Sequence, residues 1–147
     1  MLRRNFLSLG LSAIAASALG ANILKDGAKA FTSKDVNGVL EGLYGSSDVV
    51  SDDKAELKVP DIAENGGAVP VTVSTSIKNA KTLTLLIEKN PKPLAAVWEI
   101  SEGAIVKYST RIKMGQTGMV TLIVEDKDGK LHKTSKQVKV TVGGCGG

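Results

Sequence analysis

From Leu57 onward the apolar residues recur at every second position, and that period admits strands over most of the chain and leaves little room for helix. Val69, Val71 and Val73 alternate with Pro70, Thr72 and Ser74. Leu83, Leu85 and Ile87 form a second such face, broken on its polar side by Leu86. Ala96, Trp98 and Ile100 share a third, and Ala104, Val106, Tyr108, Thr110, Ile112 and Met114 a long fourth. Val120, Leu122 and Val124 lead into Asp128-Gly129, a hairpin signal, and the return run ends in Val138, Val140 and Val142. Aromatic residues make up only 3% of the chain, so its core must rest on aliphatic side chains, many of them β-branched and suited to a pleated surface.

Ahead of the strands lies one helical pattern. Thr32-Ser33-Lys34-Asp35 resembles a capping box, with Asp35 reaching back to the cap. Val36, Val39, Leu40, Leu43 and Tyr44 then fall on one helical face, and Gly45 suits a left-handed stop. Gly38 and Gly42 each cost about 1 kcal/mol inside a helix, so packing must hold it together. About seven strands separated by Asn, Gly and Pro clusters predict a mainly β fold. The expectation is an immunoglobulin-like antiparallel β-sandwich over residues 31–142 with an N-terminal helix and no disulfide framework.

Residues 1–30 read as an address. Arg3-Arg4 precedes a modest apolar stretch from Leu9 to Leu19, too short for a bilayer, which takes about 20 apolar residues. The segment resembles a twin-arginine export signal, with Leu2 and Ser8 departing from that consensus. Ala28-Lys29-Ala30 offers small residues for cleavage before Phe31, with Ala18-Leu19-Gly20 as the rival. A short uncleaved N-terminal anchor is the alternative. The expected location is the periplasm, with no membrane association of the mature form. Export after folding also points to a partner subunit carried across with this chain.

The formal charge of +4 does not signal nucleic acid. Arg3, Arg4, Lys25 and Lys29 against Asp26 place +3 of it in the first thirty residues and leave +1 for the rest. A near-neutral domain with few aromatics lacks the basic footprint that phosphate binding needs. The chain has one His and one Cys, too few ligands for a tetrahedral zinc site. His132 lies beside Lys130 and Lys133 and reads as a solvated position rather than a catalytic base. No glycine-rich phosphate loop or dinucleotide fingerprint is present.

The last five residues are different in kind. Gly143, Gly144, Gly146 and Gly147 flank Cys145, giving a slender, flexible arm over residues 143–147. At 3.3–3.6 Å per residue such an arm carries its thiol about 10 Å beyond the last strand, far enough to enter another protein's cleft. A thiolate is a soft nucleophile whose disulfides exchange readily. The arm holds no Lys, Arg or His to activate it, so activation must come from the enzyme it visits. The competing reading is a structural module that uses Cys145 for an intermolecular disulfide, including a disulfide-linked dimer.

The terminal Val142-Gly143-Gly144-Cys145-Gly146-Gly147 is joined by three internal stretches. These are Pro60-Asp61-Ile62-Ala63-Glu64-Asn65-Gly66, Glu88-Lys89-Asn90-Pro91 with Pro93-Leu94-Ala95-Ala96, and Ser109-Thr110-Arg111-Ile112-Lys113-Met114. On these residues the chain resembles SoxY, the sulfur-carrying subunit of the bacterial thiosulfate-oxidising system. The resemblance implies a sandwich paired with SoxZ as a heterodimer, with Cys145 the sole covalent attachment residue for sulfur and no intrinsic cofactor. It also implies enzyme partners: a haem enzyme of the SoxA and SoxX type that joins thiosulfate to Cys145, and a dimanganese hydrolase, SoxB, that removes the terminal sulfonate, after which the sulfane sulfur is either oxidised in place by a sulfane dehydrogenase or passed elsewhere. The internal motifs read as turns, with Asn65-Gly66 supplying positive φ and Asn90-Pro91 breaking strand pairing.

Overall fold

The period-two faces resolve into nine strands in a computed structural model that describes residues 25–141. They are β1 (Val49–Ser51), β2 (Ala55–Lys58), β3 (Ile62–Ala63), β4 (Val69–Thr75), β5 (Ala80–Ile87), β6 (Leu94–Glu99), β7 (Lys107–Ile112), β8 (Gly118–Asp126) and β9 (Leu131–Val140). One sheet runs β1-β9-β8-β5-β6, with β3 also on β9, and the other runs β2-β4-β7. The expected sandwich is therefore present. Its larger sheet is mixed rather than purely antiparallel, because β1 and β3 both run parallel to β9.

The alternating faces pack between the sheets. Val69, Val71 and Val73 of β4 share one core with Leu83, Leu85 and Ile87 of β5 and with Val120, Leu122 and Val124 of β8. Trp98 of β6 stacks on Tyr108 of β7, with ring centroids 5.6 Å apart and planes 7° apart. That pair closes the seam where the two sheets end. The fourth face is shorter than the pattern suggested: Ala104 and Ile105 are exposed in a turn with Gly103 at φ 76°, and pairing starts at Lys107.

Leu86 breaks its strand's alternation because the larger sheet is covered on its outer face as well. Leu86, Ile123 and Leu131 pack there against Ala30, Val39, Leu40, Leu43 and Tyr44. Each such fully buried Leu or Ile contributes about 1.5–3 kcal/mol relative to exposure. The polar positions of that face are satisfied locally. The Tyr44 hydroxyl hydrogen-bonds Thr82 Oγ1 at 3.0 Å and Thr84 Oγ1, and Thr82 also donates to Glu125. Burial pushes the Tyr44 hydroxyl above its ordinary pKa and the Glu125 charge adds to the rise, while the two threonine contacts act against it.

The covering element is two helices where the sequence pattern showed one: α1 (Gly27–Thr32) and α2 (Val36–Tyr44). Thr32 is still helical in α1, so it cannot cap α2. Asp35 is itself the cap, accepting from Gly38 N–H at 2.8 Å instead of reaching back. Ser33 ends α1 by donating its hydroxyl to Lys29 C=O at 2.6 Å. Gly45 takes the left-handed stop at φ 69°, as expected. The two helices touch at Gly42, where Asp26 N–H reaches Gly42 C=O at 2.6 Å and an added Cβ would lie 2.7 Å from Ala30 N. Ala30 is fully buried, so the expected boundary after residue 30 falls inside α1 and inside this contact.

The two interior glycines of α2 should therefore respond unequally to alanine. Gly42→Ala meets α1 backbone and should destabilise by about 1–3 kcal/mol despite its gain in helix propensity. Gly38→Ala meets the Ser33 side chain, with Oγ at 2.9 Å and Cβ at 3.1 Å, rather than backbone, and should cost less than Gly42→Ala, under about 1 kcal/mol. Urea denaturation of the two variants checks the contrast.

Candidate functional site

β9 stops at one end of the sandwich, and the last described residues are held there on three sides. β9 ends against β3, with Lys139 N–H donating to Asp61 C=O at 2.9 Å and Thr141 N–H to Ala63 C=O at 3.1 Å. Thr117, just ahead of β8, accepts from Val140 N–H at 2.9 Å. These bonds fix the root of the tail to within one residue of Val142. Cys145, Gly143, Gly144, Gly146 and Gly147 lie outside the described residues, as do Arg3 and Arg4 of the expected export signal.

The three internal motifs converge on this same end. Residues 60–66 carry β3 and its flanks, residues 88–93 join β5 to β6, and residues 113–117 join β7 to β8. Asn90 ties the last two together. Its Nδ2 donates to Lys113 C=O at 2.7 Å, and its Oδ1 accepts from Gly115 N–H at 3.2 Å. Gln116 Nε2 adds a bond to Lys89 C=O at 3.2 Å, and Met114 N–H reaches Gly66 C=O at 2.7 Å. The turn reading of Asn65-Gly66 holds, but not its backbone geometry, because neither residue has positive φ. Asn65 instead closes an Asx turn, its Oδ1 accepting from Gly67 N–H at 2.9 Å. The clamp made by Asn90 escaped the sequence reading, since nothing local shows that two loops about 25 residues apart will meet.

Exposed cations gather at this end: Lys89, Lys92, Arg111, Lys113 and Lys139. Lys92, Arg111 and Lys113 border a notch of about 230 Å³ in the seam between β6 and β7. Ile62, beside the tail's root, is an exposed apolar side chain.

The opposite end holds the chain's one histidine, and here the structure corrects the sequence. His132 is buried rather than solvated. Its Nδ1 lies 2.9 Å from Asp52 Oδ2 and its Nε2 lies 2.8 Å from Asp126 Oδ2. Leu131 and Lys133 face outward, and alternation turns His132 inward opposite Val124. A ring whose two nitrogens both meet carboxylates serves as a bridge between the β1–β2 turn and the β8–β9 hairpin. Burial alone would raise the Asp126 carboxyl, yet the bonds from His132 and from the Lys130 and Asp128 N–H groups outweigh it and hold it below the usual range. Asp52 is lowered chiefly by the Lys54 N–H, with His132 adding to it against some desolvation.

Among the described residues there is no group of three or more side chains arranged to hold a metal, and no helix long and apolar enough to cross a membrane. The family model described as "Sulfur oxidation protein SoxY" matches residues 40–145. The chain is similar in structure to the sulfur carrier protein SoxY from Chlorobium limicola f thiosulfatophilum, with 31% identity and a TM-score of 0.67. That match covers 76% of this chain and 96% of the other. A superoxide reductase (neelaredoxin) from Ignicoccus hospitalis shares the fold alone, at 15% identity and a TM-score of 0.52 over 59% of this chain and 80% of that one. No curated protein sequence matches.

The lowered carboxyls set a sign for acid stability. Their contribution is complete above the unfolded aspartate value of about 4 and is lost as pH falls through the lower folded values. Asp126→Asn should therefore cost about 1–3 kcal/mol at neutral pH, and the difference from wild type should shrink toward pH 2. Urea titrations at both pH values test this; an equal loss at each would show that the carboxylate charge is not what stabilises the bridge.

Proposed function

The chain belongs to the SoxY family of sulfur oxidation proteins, and from that premise we propose that it is a covalent carrier whose Cys145 sulfur holds thiosulfate-derived groups during oxidation. The observation that carries this reading is the pairing of a firmly anchored β9 root with a glycine-flanked terminal cysteine. A rigid root fixes the direction and origin of the arm, while glycine leaves its path free. The chain's one histidine, His132, is committed to two aspartates at the opposite end of β9.

The chemistry then belongs to visiting enzymes. A haem enzyme of the SoxA and SoxX type joins the Cys145 thiolate to the sulfane sulfur of thiosulfate. One S–S bond forms and two electrons pass to the haem protein. A hydrolase of the SoxB type adds water across the outer sulfur–sulfur bond. Sulfate and two protons leave, and a persulfide stays on Cys145. A sulfane dehydrogenase oxidises that sulfur in place or it passes elsewhere. SoxZ is the proposed heterodimer partner, and the twin-arginine route to the periplasm the proposed address, with Arg3 and Arg4 as its mark. Because residues 25–30 pack on α2, cleavage at the Ala18-Leu19-Gly20 site leaves the helical pair whole and is the site we propose.

Intact mass spectrometry of carrier isolated from the periplasm without reductant tests both points. Cells given thiosulfate should yield reducible adducts confined to the Cys145 peptide and absent from Cys145→Ser, on a chain that starts before Lys25. A uniformly free thiol, or only a protein–protein disulfide, would sink the carrier reading. A chain starting at Phe31 would sink the cleavage assignment alone.

A further inference from the structure

Cys145 lies four residue steps beyond Thr141, a reach of about 13–14 Å at full extension. An active site that takes in this thiol must bring its mouth against the end of the sandwich described above. That end is electrically uneven. Lys89, Lys92, Arg111 and Lys113 lie toward the β6–β7 seam, and among the described residues none of them forms an ion pair. The nearby Glu88 carboxylate accepts from Thr121 on the sheet's outer face. Asp61 and Glu64 lie on the β3 side, where Lys136 takes Asp61 at 3.0 Å. Lys139 stands between, on β9 itself.

The cations are held in place by the fold. Asn90 locks the loops that carry Lys89, Lys92 and Lys113, and the Lys89 stem lies over Gly118, where an added Cβ would come 2.6 Å from its Cγ. Four unpaired positive groups on a fixed surface repel one another and gain only when a negative surface meets them. The notch itself is open to solvent and shallow beside the breadth of the charged end, which extends beyond it to Lys89 and Lys139. The chemistry of the whole end suits a protein rim.

Resting on the carrier reading, we propose that this end is the docking surface for enzymes that act on the arm, and that their cleft mouths carry an acidic rim that meets Lys92, Arg111 and Lys113. The carboxylates on the β3 side then set the rotation at which the enzyme lands. Attraction of this kind raises association rates by about 10–1,000-fold at low salt and fades as the Debye length shortens.

The test uses the carrier isolated with its natural partner subunit and loaded with thiosulfate, and follows sulfate release by the host's arm-acting hydrolase. The triple variant K92E/R111E/K113E changes exposed side chains only. It should lower kcat/KM at least about tenfold at low ionic strength with kcat little changed, and the gap should close near 0.5 M salt. The charge-preserving K92R/R111K/K113R should behave as wild type. Unchanged kcat/KM at low salt for the reversed variant overturns the proposal. So does a second outcome, in which a small neutral phosphine strips the loaded arm faster in the reversed variant while hydrolase kinetics stay the same. That result would mean that the cations hold the arm's own sulfonate instead. Absence of sulfate release from wild type would remove the carrier reading and this surface with it, whereas normal wild-type release beside an unaffected variant removes only the surface.

Discussion

β9 is hydrogen-bonded along one edge to the full length of β8, and along the other to two short parallel strands, β1 at its start and β3 at its end. Because side chains alternate, this register sends Val138 and Val140 into the core and Lys139 outward. A slip of one residue would reverse all three. It would also break the Thr117 and Ala63 contacts that set where the chain leaves the sandwich. The position of the core and the origin of the arm are thus one constraint. The parallel strands also cover an edge that would otherwise offer unpaired N–H and C=O groups to another chain.

The same alternation explains how much of this architecture was legible beforehand. Strands with one buried face announce themselves, and β4 did so through Val69, Val71 and Val73. β5 and β8 are buried on both faces, so Leu86 and Ile123 look like errors in the pattern until α2 is laid across them. Thr82, Thr84 and Thr121 look solvent-facing for a related reason: their hydroxyls are satisfied by partners far away in sequence. His132 was obscured by its lysine neighbours, although its parity with Val138 already placed it on the inner face. Composition describes a stretch, while alternation describes a residue.

At the end where β9 stops, one residue stood out beforehand and its surroundings did not. Cys145 stands out because glycine on both sides is unlike an ordinary tail. Residues 60–66, 88–96 and 109–114 were legible as motifs and as turns, but their convergence depends on pairings between strands distant in the chain. Asn90 shows the limit. As a residue before proline it predicts a break in strand pairing, whereas its amide carries two bonds to a loop that only tertiary structure brings near.

The separation between the two ends bears on how a carrier avoids acting as an enzyme. A thiolate beside an imidazole is attacked by oxidants wherever it goes. Here the imidazole lies at the opposite end, tied to Asp52 and Asp126 and contributing to the fold rather than to the thiol. On the carrier reading proposed above, the field that ionises the thiol comes from the cleft of the enzyme that receives it. Under that proposal reactivity depends on docking, which suits a group to be passed between several active sites without being lost on the way.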